Sequence, residues 1–300
     1  MNPAMQRLPP RVDRMSPSLR VRGLHRDDLP FADALREVVG WNQTPDDWRR
    51  FLALEPEGCF LAEWDGVPAG TATTLVYGSE LAWIGMVLVH PDYRRRGISR
   101  ALLGHGIARL HERGVRCIKL DATPLGKEVY DRLGFKDEWT LTRWEHAGLP
   151  LAPAADGRVR PWRPSDAALV AGLDVAAFGI SRHRLLEVLA PQGCAARVLE
   201  TAPDHIAGYG LLRPGARALY LGPVVADSPD AGLLIVQALL ACSRGERIFW
   251  DIPDRNAAAV AWARAHGFAP QRGLTRMVFG ENPAPGDPRQ QFALAGPEVG

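Results

Sequence analysis

The stretch Val87-Leu88-Val89-His90-Pro91-Asp92-Tyr93-Arg94-Arg95-Arg96-Gly97-Ile98-Ser99-Arg100-Ala101-Leu102-Leu103 decides how this 300-residue chain is read. Its first three residues end an apolar run that begins at Leu81 and has the character of a buried strand. Apolar residues then recur at Ile98, Ala101, Leu102 and Ile107, which predicts an amphipathic helix over 98–113. A tight basic turn containing Gly97 joins the two. Such a turn lines up backbone N–H groups, and the helix N-terminus behind it carries about half a positive charge, so together they form a site for a pyrophosphate-like anion. The plainer alternative is that Arg94, Arg95 and Arg96 form a solvated surface turn. The common phosphate signatures are absent: no Lys-Ser/Thr pair follows Gly97, and the glycines of a dinucleotide fingerprint are missing.

Working outward, the first half reads as β-α-α-β-β-β-α-β-α-β. A strand starts near Leu19, and a helical pattern runs through Phe31, Ala34, Leu35 and Val38. A second helix spans 45–54, with Pro45 in its first turn. Strands follow at 59–64, 70–77 and 81–89, then the helix after Gly97, a strand at 117–121, a helix at 127–133 and a strand near 138–144. Residues 158–280 repeat this order, ending on a strand near 274–279. Leu133-Gly134-Phe135 echoes His266-Gly267-Phe268. The expected organisation is a tail at 1–17, a first domain at 18–147, a linker at 148–157 rich in Pro, Ala and Gly, a second domain at 158–280, and an extended tail with no assigned role at 281–300.

Length agrees with two domains, since single domains usually hold about 100 to 200 residues. With 36 basic and 34 acidic residues the net charge is +2, which supplies no global field for nucleic acid or an anionic membrane. Only Lys119, Lys127 and Lys136 are lysines, and the Arg excess reads as background composition. Cys59, Cys117, Cys194 and Cys242 show neither zinc-ligand nor disulfide-framework spacing, so no metal is expected. No apolar run reaches the length of a membrane span and no secretory leader is visible, so the expected location is the cytoplasm.

The turn motif resembles the GNAT superfamily of acetyl-CoA-dependent N-acetyltransferases. Its Q/R-x-x-G-x-G/A pattern is matched by Arg94-Arg95-Arg96-Gly97-Ile98-Ser99, after a Val-x-Val-His-Pro-x-Tyr run, with Ser99 standing where the family prefers Gly or Ala. The resemblance continues at Tyr130-x-x-Leu133-Gly134-Phe135 and covers residues 19–145. It implies an α+β fold made of two tandem GNAT-like domains, each a mixed, mostly antiparallel sheet flanked by helices. It implies acetyl-CoA as co-substrate, with the backbone of Val87, Leu88 and Val89 pairing with pantetheine and the turn from Arg94 through Arg95, Arg96, Gly97, Ile98 and Ser99 to Arg100 holding the pyrophosphate. Tyr130 aligns with a tyrosine that protonates the departing thiolate; the alternative for it is a core aromatic.

The family often places a Glu on the strand before the phosphate turn. Here that strand carries no acid, and Glu80 and Asp121 are the nearby candidates, each with a capping or solvated alternative. In the second half the corresponding turn carries Asp227 and Asp230 instead of arginines, a charge that repels pyrophosphate.

The pairing of an intact with a degenerate domain resembles a bacterial tandem subgroup. By that resemblance Trp41, Asn42, Asp121 and Asp251 border the acceptor; a packed tryptophan and a helix-capping network are the alternatives. The expected partner is a small-molecule amine, with no nucleic acid and no membrane, acting on a monomer or homodimer. A non-catalytic acyl-CoA-binding or regulatory module is the alternative from another class. An aminoacyl-tRNA-dependent transferase is a third reading, disfavoured by the near-neutral charge.

Overall fold

The computed structural model describes residues 18–148 and 156–300. The tail expected at 1–17 and most of the expected linker lie outside the described residues. The first half comprises β1 (Leu19–Gly23), α1 (Leu29–Val38), α2 (Pro45–Leu54), β2 (Cys59–Trp64), β3 (Val67–Tyr77), β4 (Leu81–Val89), α3 (Ile98–Glu112), β5 (Cys117–Ala122), α4 (Pro124–Arg132) and β6 (Lys136–His146). The second comprises β7 (Val159–Pro161), α5 (Ala167–Phe178), α6 (His183–Gln192), β8 (Ala195–Ala202), β9 (His205–Arg213), β10 (Leu219–Ala226), α7 (Pro229–Leu240), β11 (Ile248–Pro253), α8 (Ala257–Ala265), β12 (Ala269–Gly280) and β13 (Gln291–Ala293). Helix α4 begins three residues before its expected start, because Thr123 caps it by accepting the Gly126 N–H at 3.2 Å and Pro124 occupies its first turn.

The two halves repeat one another down to their ion pairs. Arg22 binds Asp28 and Glu63 at the start of the first half, and Arg160 binds Asp166 and Glu200 at the start of the second. In each, a short parallel pairing interrupts an otherwise antiparallel order: Leu81–Trp83 against Cys117–Lys119, and Leu219–Leu221 against Ile248–Trp250.

The halves do not close separately. One sheet runs β1-β2-β3-β4-β5-β12-β6-β11-β10-β9-β8-β7, so the last long strand of each half is inserted into the other. Strand β12 pairs with β5 along Thr275–Gly280, and β6 pairs with β11 along Leu141–His146. Two reciprocal buried ion pairs mark this exchange. Arg276 on β12 faces Asp121 on β5, both its bonds being 2.9 Å, and Arg143 on β6 faces Asp251 on β11 at 2.7 and 2.6 Å. Arg276 is also sandwiched between Trp83 and Trp139. A bidentate pair with both charges desolvated tolerates no slip of register, which would leave each ion buried alone. A shared apolar cluster completes the joint, bringing Trp48 and Trp83 together with Phe178, Leu185 and Leu189.

Residues 281–300, expected as an extended tail, are largely built into the interior. Strand β13 adds antiparallel to β10 at Val224 and Val225, beyond the point where β10 and β11 separate. Trp250 Nε1 donates to the Phe292 carbonyl at 2.8 Å and the Leu294 N–H bonds the Asp251 carbonyl. The cleft of the second half is thus filled by its own chain. The signal in the sequence was the apolar run Phe292-Ala293-Leu294-Ala295, too short to stand out without knowing which groove it fills.

Candidate active site

In the first half the corresponding cleft is open. Strands β4 and β5 pair from Leu81 and Cys117 only as far as Trp83 and Lys119, whereas β4 continues alongside β3 to Val89, so the two parallel strands splay apart. A bulge at Met86, with φ of 51°, sits opposite Ala72 and kinks β4 at this point. The splay opens a cleft of about 600 Å³ lined by Ile84 to Val89, Arg94, Arg95, Ser99, Leu120, Asp121, Tyr130 and Arg272, among others.

The basic turn closes one end. Gly97 adopts φ of 80° as the residue preceding α3, a conformation that favours glycine. Arg95 is also left-handed, at φ 61°. Ile98 is buried and anchors the helix, so the turn's backbone is presented by a fixed support. Arg94, Arg95 and Ser99 line the cleft. Arg96 turns away: its guanidinium lies over Trp64 and Tyr93 and donates to the Asp92 carbonyl at 3.1 Å. Arg100 is exposed on the first turn of α3.

Tyr130 reaches the cleft from α4, with Gly126 leaving room for its ring and Phe135 packed edge-on at 5.9 Å. Its hydroxyl has no hydrogen-bond partner among the described residues. Burial pushes its pKa up to about 12, so at neutral pH the phenol holds its proton.

The opposite wall comes from the segment at 281–300, for which the sequence suggests no role. Pro297 and Glu298 line the cleft against Gly85, where a Cβ would come within 2.5 Å of the Glu298 carbonyl. Trp83 Nε1 donates to the Pro297 carbonyl at 2.9 Å and the Tyr77 hydroxyl to the Val299 carbonyl at 2.7 Å, so the first half grips this segment on both sides of Glu298. Glu298 is 5% exposed as a residue, and its carboxylate accepts a 2.7 Å hydrogen bond from Gln43 Nε2. Burial, then the charge of Asp47, raises its pKa above the ordinary glutamate value, against the opposing pull of Arg213. Gln43 and Glu298 also border a smaller adjoining cavity with Asn42, Arg213 and Tyr220.

A strand splay, a basic turn, a phenol and a buried carboxylate therefore meet in one cleft. Residues 21–135 match the Acetyltransferase (GNAT) family, and residues 170–293 match the Acetyltransferase (GNAT) domain. A mycothiol acetyltransferase of Kineococcus radiotolerans is 31% identical over 246 residues, 73% of this chain and 80% of that protein. The chain belongs to the GNAT family of acetyltransferases. An uncharacterized N-acetyltransferase of Bacillus subtilis, YitH, is 28% identical over 59% of this chain, a match spanning 62% of YitH's own length. Among solved structures, a Pyrococcus horikoshii protein assigned to the acetyltransferases superposes with a TM-score of 0.78 at 26% identity, covering 94% of this chain and 96% of that one.

On this GNAT fold the other sequence candidates are distributed unevenly. Trp41 lines the cleft, whereas Asn42 is a buried clamp: its Oδ1 accepts the Arg217 and Ala218 N–H groups and its Nδ2 donates to the Ala218 carbonyl. Asp121 borders the cleft, but Arg276 occupies both its oxygens. Asp251 is fully buried against Arg143 and Tyr220, which leaves it no oxygen to offer a cationic substrate. Glu80 sits at the far end of β4 in an exposed pair with Arg116. Asp121 and Asp251 lie within strands and Glu80 just before one, but the partner of each comes from more than thirty residues away or from the other half. Among the described residues no group of three His, Cys, Asp or Glu is arranged to hold a metal, and no helix is long and apolar enough to cross a membrane.

Proposed function

We propose that the chain transfers an acetyl group from acetyl-CoA to a primary amine of a small molecule, by direct attack in a ternary complex in the cytoplasm. The observation that carries this reading is the open splay between β4 and β5, with the basic turn at one end and Tyr130 and Glu298 on its walls. The backbone of Val87 to Val89 pairs with the pantetheine arm as an added strand does. The turn from Arg94 to Arg100 and the N-terminus of α3 take the pyrophosphate, with Arg95 contributing its side chain and Arg96 bracing the turn from behind.

The amine nitrogen attacks the thioester carbon, the carbon–sulfur bond breaks, and CoA leaves as a thiolate. Tyr130 donates a proton to the sulfur. Glu298 receives the proton that the amine must lose, and its raised pKa makes it a better acceptor than an ordinary carboxylate. The second half supplies Glu298 and Arg272 to the first half's cleft rather than a second cofactor site, because β13 fills its own.

Calorimetric titration with acetyl-CoA, followed by thiol release with a panel of amines, tests the reading. Stoichiometric binding near one per chain and amine-dependent release are expected. Binding without release by any amine favours a non-catalytic acyl-CoA-binding module, and absence of binding overturns the site.

A further inference from the structure

The acceptor side of the cleft holds more cations than anions once its internal pairs are set aside. Arg276 takes both oxygens of Asp121, and Arg143 takes both of Asp251, with the Tyr220 hydroxyl added at 2.9 Å. Asp47 pairs with Arg50. Arg213 donates from Nε and Nη2 to the carbonyls of Gly222 and Ala295. That leaves Arg272, which lines the cleft and has neither an ion pair nor a side-chain hydrogen bond among the described residues; its Nε is buried and unpartnered. It faces Arg143 directly across the β12–β6 register, and of the two acids whose charge acts on it, Asp251 is already claimed by that neighbour and Glu298 is the carboxylate assigned to the amine. Burial and Arg143 lower its pKa to about 10, which leaves it charged at neutral pH.

A second atom in the same cleft is also unsatisfied. Gln43 Nε2 is committed to the Glu298 carboxylate, which fixes the amide so that its other end is the acceptor, and that Oε1 is buried without a donor. Buried polar groups in folded proteins are normally paired, and leaving a guanidinium N–H and an amide oxygen unpaired costs stability. Two such atoms of opposite hydrogen-bonding sense, a cationic donor and an acceptor beside a carboxylate, belong to residues that line the same cleft.

We infer that the acceptor is an amine that carries a carboxylate on the same small molecule, the carboxylate held by Arg272 and the amine by Gln43 Oε1 and Glu298. This rests on the acetyltransferase reading of the cleft. A planar carboxylate matches the guanidinium edge and neutralises the unpaired charge, whereas an uncharged amine leaves Arg272 as it is. The amine end meets the carboxylate assigned to remove its proton, so the subsite that recognises the substrate also orients it for attack. A lysine side chain of a protein, with no carboxylate at hand, satisfies only one of the two ends.

The test uses the full chain with acetyl-CoA and two matched panels, the common amino acids and their carboxamides, read by thiol release. The carboxamides present the less basic amines, so chemistry alone favours them. The expected result is kcat/KM about 10- to 100-fold higher for the best amino acid than for its amide, the range of a charge-assisted hydrogen-bonded contact. Arg272→Gln should bring that ratio close to one by raising KM, with acetyl-CoA affinity unchanged, and Arg272→Lys should restore part of it. Amides used as well as their acids, or a ratio that survives in Arg272→Gln, overturns the assignment.

Calorimetry of the same amino acids into the acetyl-CoA complex of Tyr130→Phe separates this from the parent reading. Carboxylate-dependent binding that Arg272→Gln removes upholds the subsite even where turnover is absent, which would count against the catalytic reading alone. No binding to a complex that holds acetyl-CoA overturns the subsite.

Discussion

Replacing Glu298 with Gln removes the charge that the proposed proton transfer needs while leaving the shape of the site intact. The amide is isosteric, its oxygen can still accept from Gln43, and the backbone on either side stays anchored through the Pro297 and Val299 carbonyls. The fold should therefore survive. Because the folded-state pKa is raised, the native protein binds that proton more tightly than the unfolded chain does. The associated stability is full at low pH and is lost as pH rises through the raised value, so at neutral pH the wild type carries a penalty that the Gln variant lacks. Stability unchanged or slightly higher is expected in urea titration.

Activity should move the other way. A positioned general base contributes about 10²- to 10⁴-fold, or about 2.7 to 5.4 kcal/mol of barrier, so kcat/KM should fall by that factor. In the wild type, activity requires the carboxylate form, so the rate is lost as pH falls through a midpoint displaced above the ordinary glutamate value of 4.5. Thiol release followed across pH for both proteins reads this directly. A loss smaller than about 10-fold, or an acid limb that persists unchanged in Glu298→Gln, would refute the assignment of Glu298 as proton acceptor.

Tyr130→Phe should lower kcat by about 10- to 1000-fold with little change in acetyl-CoA affinity. Because its phenol titrates near 12, the wild-type profile should show no alkaline loss from this group below about pH 11; an unaltered rate in the variant would return Tyr130 to a packing role. Arg95→Glu should weaken acetyl-CoA binding by about 10-fold or more in calorimetry, whereas Arg96→Ala, whose side chain lies on Trp64 and Tyr93, should cost less than about 3-fold. Equal losses would contradict the division of labour within the turn. Arg276→Met leaves the buried Asp121 carboxyl without its partner, and should cost about 3 to 5 kcal/mol, lowering Tm by about 6 to 10 °C. Adding Asp121→Leu should recover most of that; a double mutant as unstable as the sum of its parts would deny the coupling.

How legible each element was depends on how far along the chain its partners lie. The basic turn is legible because its parts are contiguous: a strand end, the left-handed Gly97 and the first turn of α3 fall within about a dozen residues. The duplication was visible for the same reason, since each half repeats its element order and its local motifs. Asp121 and Asp251 stand out in the sequence as acids at strand ends and are expected there to border the acceptor, but the structure commits both to buried ion pairs. Their arginines lie 155 and 108 residues away, on strands that each half lends to the other.

Glu298 shows the limit most clearly. It stands between Gly-Pro and Val-Gly in a stretch that reads as loop, and it enters the cleft only because it meets Gly85 and bonds Gln43, 255 residues distant. The chain by itself determined the fold class, the duplication and the local form of the basic turn, because these follow from hydrophobic period and backbone freedom at glycine. Only the tertiary structure decided that the two halves exchange strands, that the second cleft is filled by β13, and that the carboxylate and the unpaired arginine of the first cleft come from the second half. Those outcomes depend on which desolvated charges find one another across the sheet, and no local spacing encodes that.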